Sequence, residues 1–318
     1  MGWTKELGGM DRRLLAGTDL QLSSLGFGAA PLGDEYGALD AAAAIKLVRQ
    51  ALDLGVNYFD TSPYYGRGLS ERRLGEALIG VRERTVISTK AGRYDREYPA
   101  GFDFSRARIE ASINESLRRL RTDYIDIVFL HDIEFGSRDQ IFGEALPALA
   151  EARDRGKVRF IGVSGYPLPV LGDAASSAEI DAVLSYCHAD LLDQGLVEEL
   201  MPIAERHGCG VVAASPFHMG LLSPQGSPEW HPAGADRRAA AAAIAARCME
   251  LNVSLSAAAI TFATQLPGPA SVLSGVRSSD ELVANLSAVE RPIDCAILAS
   301  LAEIAREYGG DRWQSGIR

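Results

Sequence analysis

The chain has 318 residues, 47% hydrophobic and 23% charged, proportions that fit a globular protein with a large core. Its 42 acidic and 32 basic residues leave a net charge of −10, which argues against nucleic acid or an anionic membrane as partner. Cys187, Cys209, Cys248 and Cys295 are scattered, with no C-x-x-C pair; reduced thiols are expected rather than a disulfide framework, and no metal site is expected. The opening MGWTKELGGMDRRLLAG lacks the apolar core of a signal peptide, and no run approaches membrane-spanning length. A cytoplasmic protein is the expectation.

In chain order, RRLLAGTDLQLSSL reads as a hairpin and LGFGAAP as a first strand. DAAAAIKLVRQALDLG carries apolar residues at helical spacing and stops at Gly55. VNYFD, RTVISTK, DYIDIVFLH and KVRFIGVSG are strands, separated by the helical stretches SERRLGEALIG, SRARIEASINESLRRL and RDQIFGEALPALAEARDRG. Ser105 is placed to cap the second of these helices. AEIDAVLSYC, GCGVVAASP and ASVLSGV complete eight strand–helix units without a linker. That pattern predicts one domain over residues 1–318, a closed parallel (β/α)8 barrel with an N-terminal hairpin and two extra C-terminal helices. A doubly wound open sheet is the alternative, but no G-x-G-x-x-G follows the first strand. The Pro- and Gly-rich stretch at 217–236 is a long mouth loop, and RRAAAAAIAARCME a surface helix.

Three strands end on an ionisable residue: Asp60, Lys90 and His131, with Tyr65 five places beyond Asp60. Barrels of this class gather chemistry at the carboxyl ends of their strands. A lysine at a buried strand end needs an acid, which Asp60 can supply from the neighbouring strand. An ammonium near a phenol lowers the phenol's pKa, so Tyr65 is expected to exchange protons nearer neutrality than a free tyrosine. Neutral His131 can orient a substrate oxygen. Phe27 is expected on the pocket floor and Tyr64 at its wall, while Trp230 and Trp313 are expected either at the wall or as anchors of the long loop and the C-terminal tail.

D-T-S-P-Y-Y-G (60–66), with the strand-final Lys90 and His131, resembles the aldo-keto reductases. The similarity runs from LGFGAAPLG to the C-terminal WQSGI. It is nearest to the L-galactose dehydrogenase branch, through NYFDTSPYYG, GFDFSRARI, HDIEFGSRDQI, VLSYCH and SPEWHP. The resemblance implies that Asp60, Tyr65, Lys90 and His131 are a catalytic tetrad, and that an aldose such as L-galactose or L-fucose is oxidised at its anomeric carbon by a nicotinamide cofactor. Family precedent implies a monomer or weak homodimer. The family's Ser-Asn pair for the carboxamide is here Ser164-Gly165, its sixth-strand glutamine is replaced at Leu184 or Ser185, and Ala214 stands where an aromatic usually stacks on the nicotinamide. SPFHMGLL (215–222) resembles the pyrophosphate-covering loop, implicating Ser215, Phe217, Gly220 and Leu222. SGVRSSDELVAN (274–285) resembles the adenosine clamp, with Gly275, Arg277, Glu281 and Asn285. Glu281 favours NAD, while Arg277 suits a phosphate and keeps NADP open. Reduction of small aldehydes or ketones, a Schiff-base lyase built on Lys90, and a cofactor-binding module are the competing functions.

Overall fold

The computed structural model describes residues 10–316. The first nine residues, part of the opening read above, and Ile317 of the WQSGI match lie outside that range. Eight parallel strands close into a barrel: β3 (Leu25–Gly28), β4 (Tyr58–Asp60), β5 (Val86–Ala91), β6 (Ile125–Leu130), β7 (Val158–Gly165), β8 (Ala182–Tyr186), β9 (Gly210–Ala214) and β10 (Ser271–Gly275), which pairs back onto β3. The antiparallel hairpin β1 (Arg12–Leu14) and β2 (Gln21–Ser23) precedes it. Leu15, Leu20 and Leu22 of this hairpin share a buried cluster with the barrel-lining Tyr58, Val86, Ile127, Phe129, Leu184 and Val212. The hairpin therefore plugs one end of the barrel and leaves the other for chemistry.

The helices α1 (Ala41–Asp53), α2 (Leu69–Ala77) and α3 (Arg106–Leu120) follow β3, β4 and β5. After β6, α4 (Arg138–Gln140) runs through a π-helical turn into α5 (Leu146–Asp154). Then come α6 (Leu168–Ser177), α7 (Met201–His207), α8 (Ala235–Glu250), α9 (Leu255–Gln265), α10 (Ser279–Glu290) and α11 (Cys295–Tyr308). Ser105 holds the N-cap position of α3, but its side chain makes no capping bond. Asp103 accepts from the Ser105 N–H, and Glu144 from the Arg106 N–H. The Ala-rich α8 buries Ala240, Ala241, Ile244 and Cys248 in a second apolar cluster with α11. No single described helix is long and apolar enough to cross a membrane.

Side chains alternate across each strand with period two, and this decides what reaches the mouth. Tyr58 lines the barrel, so Asp60 does too; Val86 fixes the face of Ser88 and Lys90; Ile127 and Phe129 fix that of His131. The outward residues Phe59, Ile87, Val128 and Leu130 pack beneath the helices. Phe27 belongs with them. It lies in the outer core with its ring 5.6 Å from Phe59, so the sequence expectation that it floors the pocket is corrected.

The loop after β3 presses on the loop after β4. A Cβ on Gly33 would lie 2.5 Å from the Tyr65 carbonyl carbon and 2.8 Å from the Gly66 nitrogen. Both are backbone atoms, so neither can swing aside. Gly33→Ala is expected to lower unfolding stability by about 1–3 kcal/mol through overpacking, read as an earlier urea midpoint, and to weaken activity by displacing Tyr65.

Candidate active site

The structure brings Asp60, Tyr65, Lys90 and His131 together at the open barrel mouth. Lys90 is only 2% exposed and directs Nζ to three acceptors: an Asp60 carboxylate oxygen in a short ion pair, the Thr61 carbonyl at 2.9 Å and the Tyr65 hydroxyl at 3.4 Å. Ser88 donates to the other Asp60 oxygen at 2.7 Å and contacts the Tyr58 hydroxyl at 2.9 Å. Every member of this chain is buried along the barrel wall except the half-buried Tyr65, whose hydroxyl reaches down to the ammonium. On the outer face of β5, Thr89 and Arg119 both bond Glu71, tying α2 and α3 to the strand that carries Lys90.

His131 follows β6, and its N–H donates to the Ala91 carbonyl at 2.8 Å. Its Nδ1 lies 3.1 Å from the Ser62 hydroxyl, which accepts from the Tyr64 N–H. Ser62 keeps a hydroxyl hydrogen it can donate to Nδ1, and in that pairing the imidazole proton is on Nε2. Burial, reinforced by the Lys90 and Arg93 charges, pushes the His131 pKa well below its usual value. The imidazole is neutral at physiological pH.

Tyr65 behaves opposite to the expectation drawn from Lys90 alone. Burial, together with the Asp60 and Asp132 carboxylates, pushes its pKa well above the usual phenol value. The ammonium is closer to Asp60 than to the phenol, so its field at Tyr65 is largely cancelled. That direction favours the protonated phenol at neutral pH.

Sequence reasoning missed several neighbours. Arg93, three residues past Lys90, forms a short ion pair with Asp132, the residue after His131. Its guanidinium lies 4.1 Å over the Tyr64 ring, and Tyr64 stands 5.8 Å from both Tyr65 and His131. Tyr186 ends β8 with its ring 5.5 Å from Tyr166. Trp313, expected at the pocket wall or as a tail anchor, stacks on Tyr166 at 4.0 Å and meets His218 and His231 edge-on. Its indole anchors the C-terminal tail, beside Arg312 bonded to Asp193 and Ser315 bonded to Glu134. Trp230 is 57% exposed in the long loop. The signal for Arg93 and Asp132 was present in the sequence, since both extend strands already read as delivering chemistry.

The residues expected to hold a cofactor surround this mouth. Ser164 ends the inward face of β7 and donates to the Leu130 carbonyl at 3.2 Å. Beside it, Ser185 Oγ and Glu134 Oε2 are buried without hydrogen-bond partners among the described residues. A Cβ on Gly165 would collide with Glu134 Oε2, so the carboxyl of Glu134 fills the space an asparagine would take there. Burial and the neighbouring Asp132 push the Glu134 pKa up to about 8. Unpartnered donors and acceptors at this rim fit a group that brings its own, as a carboxamide does.

The other cofactor candidates are engaged by the fold. Ser215 has φ of 62°, and the N–H groups of Gly220 and Leu222 both donate to the Phe217 carbonyl, at 2.9 and 3.0 Å. Those two amides bond within their own loop. Leu222 is fully buried and Phe217 half-buried in the apolar cores. Ser278 caps α10, and Glu281 accepts from the Arg277 N–H at 2.7 Å, a reciprocal cap that holds the helix start. Gly275 pairs with Gly28, Arg277 reaches the Ala38 carbonyl at 3.5 Å, and buried Asn285 donates to Ser274 at 3.2 Å. Among the described residues no group of histidines, cysteines and carboxylates is arranged to hold a metal.

The family model for the aldo/keto reductase family matches residues 24–306. L-galactose dehydrogenase of Arabidopsis thaliana is 41% identical, covering 97% of this chain and 98% of that enzyme. D-threo-aldose 1-dehydrogenase of a Pseudomonas species is 34% identical, covering 91% and 95%. Among solved structures, an aldo-keto reductase from Bacillus halodurans in its holo form superposes with a TM-score of 0.76 at 29% identity, over 94% of this chain and 96% of that one. A closed barrel, the family-model match and similarity along nearly the whole length lead to one conclusion: the chain belongs to the aldo/keto reductase family.

Proposed function

We propose that the protein oxidises an aldose of L-galactose or related configuration, such as L-fucose, at C1 to the lactone, with NAD as the cofactor. The observation that carries this reading is the complete Asp60–Tyr65–Lys90–His131 cluster at the mouth, in a chain 41% identical to an L-galactose dehydrogenase. A bound nicotinamide supplies the acceptor for the hydride. Ser164, Ser185 and Glu134 are the groups here that would hold its carboxamide, and the 275–285 segment its adenosine end. Glu281, a carboxylate at the clamp, supports NAD over NADP. Four free cysteines suit a reducing compartment, in keeping with a cytoplasmic enzyme.

The chain's own residues divide the remaining work. His131 donates from Nε2 to the substrate oxygen and sets its direction. Tyr65 exchanges a proton at its hydroxyl with that oxygen, and Lys90 steadies the phenolate whenever it forms. Asp60 holds Lys90 in position. Three acceptors on the ammonium leave it poorly placed to attack a carbonyl, which disfavours the lyase reading. One observation favours a second reading, reduction of small aldehydes or ketones with NADPH. The Tyr65 phenol is held protonated, the form that donates to a developing alkoxide.

Three experiments decide between these. A panel of L- and D-aldoses assayed with NAD and NADP should produce reduced cofactor, most strongly with L-galactose-like sugars and NAD. Activity on simple aldehydes alone would sink the sugar assignment. Tyr65→Phe should cut turnover by about 10²–10⁴-fold, the usual span of general acid–base catalysis, while the cofactor dissociation constant stays near native. The pH profile carries the sign of the Tyr65 shift. Oxidation needs the phenolate, whose fraction grows tenfold per pH unit below a raised pKa. Log kcat/KM for oxidation should therefore climb with a slope of about one from neutral pH upward, whereas reduction, which uses the phenol, should stay flat there. A flat oxidation profile between pH 6 and 9 (an assay range of roughly three units) would show that Tyr65 is not the proton acceptor.

A further inference from the structure

The mouth holds one ion pair to which the reaction as described assigns no task. Asp132 follows His131 directly and takes φ 53°, ψ 60°, the left-handed conformation that a side-chained residue adopts at a cost. That turn sends its carboxylate back across the mouth, with Oδ2 3.8 Å from His131 Nε2. The same oxygen meets Arg93, which arrives from the end of β5. The Asp132 side chain is only 3% exposed and that of Arg93 22%. Removing two charges from water this far is seldom repaid in stability, so the pair is poorly explained as a brace.

Its geometry is that of a prepared receptor. The Arg93 guanidinium carbon lies 4.1 Å from the centre of the Tyr64 ring and 5.3 Å from that of Phe102, two aromatic contacts that restrain it. Arg93 Nε is buried and has no hydrogen-bond partner among the described residues. A buried donor without an acceptor is costly, and a ligand oxygen would relieve it. The carboxylate offers acceptors and the guanidinium a fork of donors, side by side, one residue from the imidazole that faces the reacting oxygen. Two neighbouring hydroxyls, one donating to Asp132 and one accepting from Arg93, match that array. The two charges cancel, so the array suits a neutral polyol rather than a sugar acid.

We propose that the Arg93–Asp132 pair reads two adjacent ring hydroxyls of the aldose and so sets which configuration is oxidised. The inference rests on the sugar-oxidation reading above and goes beyond it by naming the residues that discriminate among sugars. Sites built to bond a hydroxyl reject analogues that lack it, because their own buried groups are then left unpaired.

Asp132→Asn keeps the shape of the side chain and removes its charge; Arg93→Lys keeps the charge and removes the fork. Each variant is assayed with L-galactose, with deoxy-aldoses each lacking one ring hydroxyl, and with a hydroxyl-free aldehyde in the reductive direction. The cofactor dissociation constant is measured by fluorescence alongside. In either variant the ratio of kcat/KM for L-galactose to that for the aldehyde should fall by at least about 10-fold, the loss of one hydrogen bond to a charged group, mostly through KM. For the deoxy-aldose lacking the contacted hydroxyl, the variant's further loss should shrink toward nothing, a non-additivity expected only of groups in contact. Equal losses on every substrate, or additive losses with every deoxy-aldose, would overturn the proposal and leave the pair a structural one. A wild-type enzyme that reduces the aldehyde but oxidises no aldose would sink the sugar reading and the pair's role with it. Wild-type aldose oxidation with an unchanged ratio in both variants would sink the pair's role alone.

Discussion

A lysine ammonium buried at the end of a barrel strand must be neutralised where it stands, and the rest of the mouth is arranged around that need. Stranding either member of such a pair costs about 3–5 kcal/mol, so Lys90 and Asp60 constrain each other across β4 and β5. The consequences spread outward. Ser88 and Tyr58 are drawn into the chain of hydrogen bonds behind Asp60, and the Thr61 carbonyl is turned toward Nζ. Tyr65 receives what is left of the ammonium, at 3.4 Å. Because the strands are buried on both faces, Thr89 must also satisfy its hydroxyl, and it does so on Glu71, which Arg119 holds from α3. Lys90 is thus braced from inside the barrel and from outside.

The barrel and its four mouth residues were legible because strand ends are punctuated. A largely apolar run that stops on Asp60, Lys90 or His131 announces both the strand and the face, since the residues two places earlier, Tyr58, Ser88 and Phe129, line the barrel. The same logic reached Asp132 and Arg93 in principle, but a residue after the punctuation mark looks like loop. Phe27 went astray for a related reason. β3 has only four residues, two of them glycine, so the sequence alone offers no alternation from which to decide its face. Only the pairing with β4, which sets Phe27 beside Phe59, fixes it outward.

The Tyr65 phenol illustrates a different limit. The sequence says that a cation lies nearby but not how that cation is shared. Once Asp60 has taken the nearer position, the phenol faces a nearly neutral pair and a buried environment, with Asp132 adding a second carboxylate. Desolvation then outweighs the ammonium. Likewise, the residues matched to a cofactor-binding pattern were placed by position alone. Glu281 and Asn285 also serve local needs, a helix cap and a bond to Ser274, which no spacing rule separates from ligand binding. The substitution of Gly165 for asparagine was visible, yet the group filling its space comes from Glu134, thirty-one residues earlier, on a turn that only the tertiary structure brings there.

These features combine into one electrostatic design. Two cations, Lys90 and Arg93, flank His131 and each is matched by a carboxylate, Asp60 or Asp132. Burial, with the Lys90 and Arg93 charges, keeps the imidazole uncharged, and the Ser62 hydroxyl stands 3.1 Å from its Nδ1. An imidazolium here would compete with the substrate for the Asp132 carboxylate; a neutral ring with hydrogen on Nε2 instead points a single donor into the mouth. In the proposed reaction the substrate oxygen would meet one donor from His131 and one exchangeable proton on Tyr65. Charge is kept at the edges, where it can meet hydroxyl groups, and away from the centre, where a hydride must pass. Such an arrangement resists protonation of the histidine as pH falls, because both matched pairs and burial oppose a further positive charge between them. Two protons at the mouth remain to titrate as pH rises, that of the Glu134 carboxyl, its pKa pushed up to about 8, and that of the Tyr65 phenol, held well above its usual value.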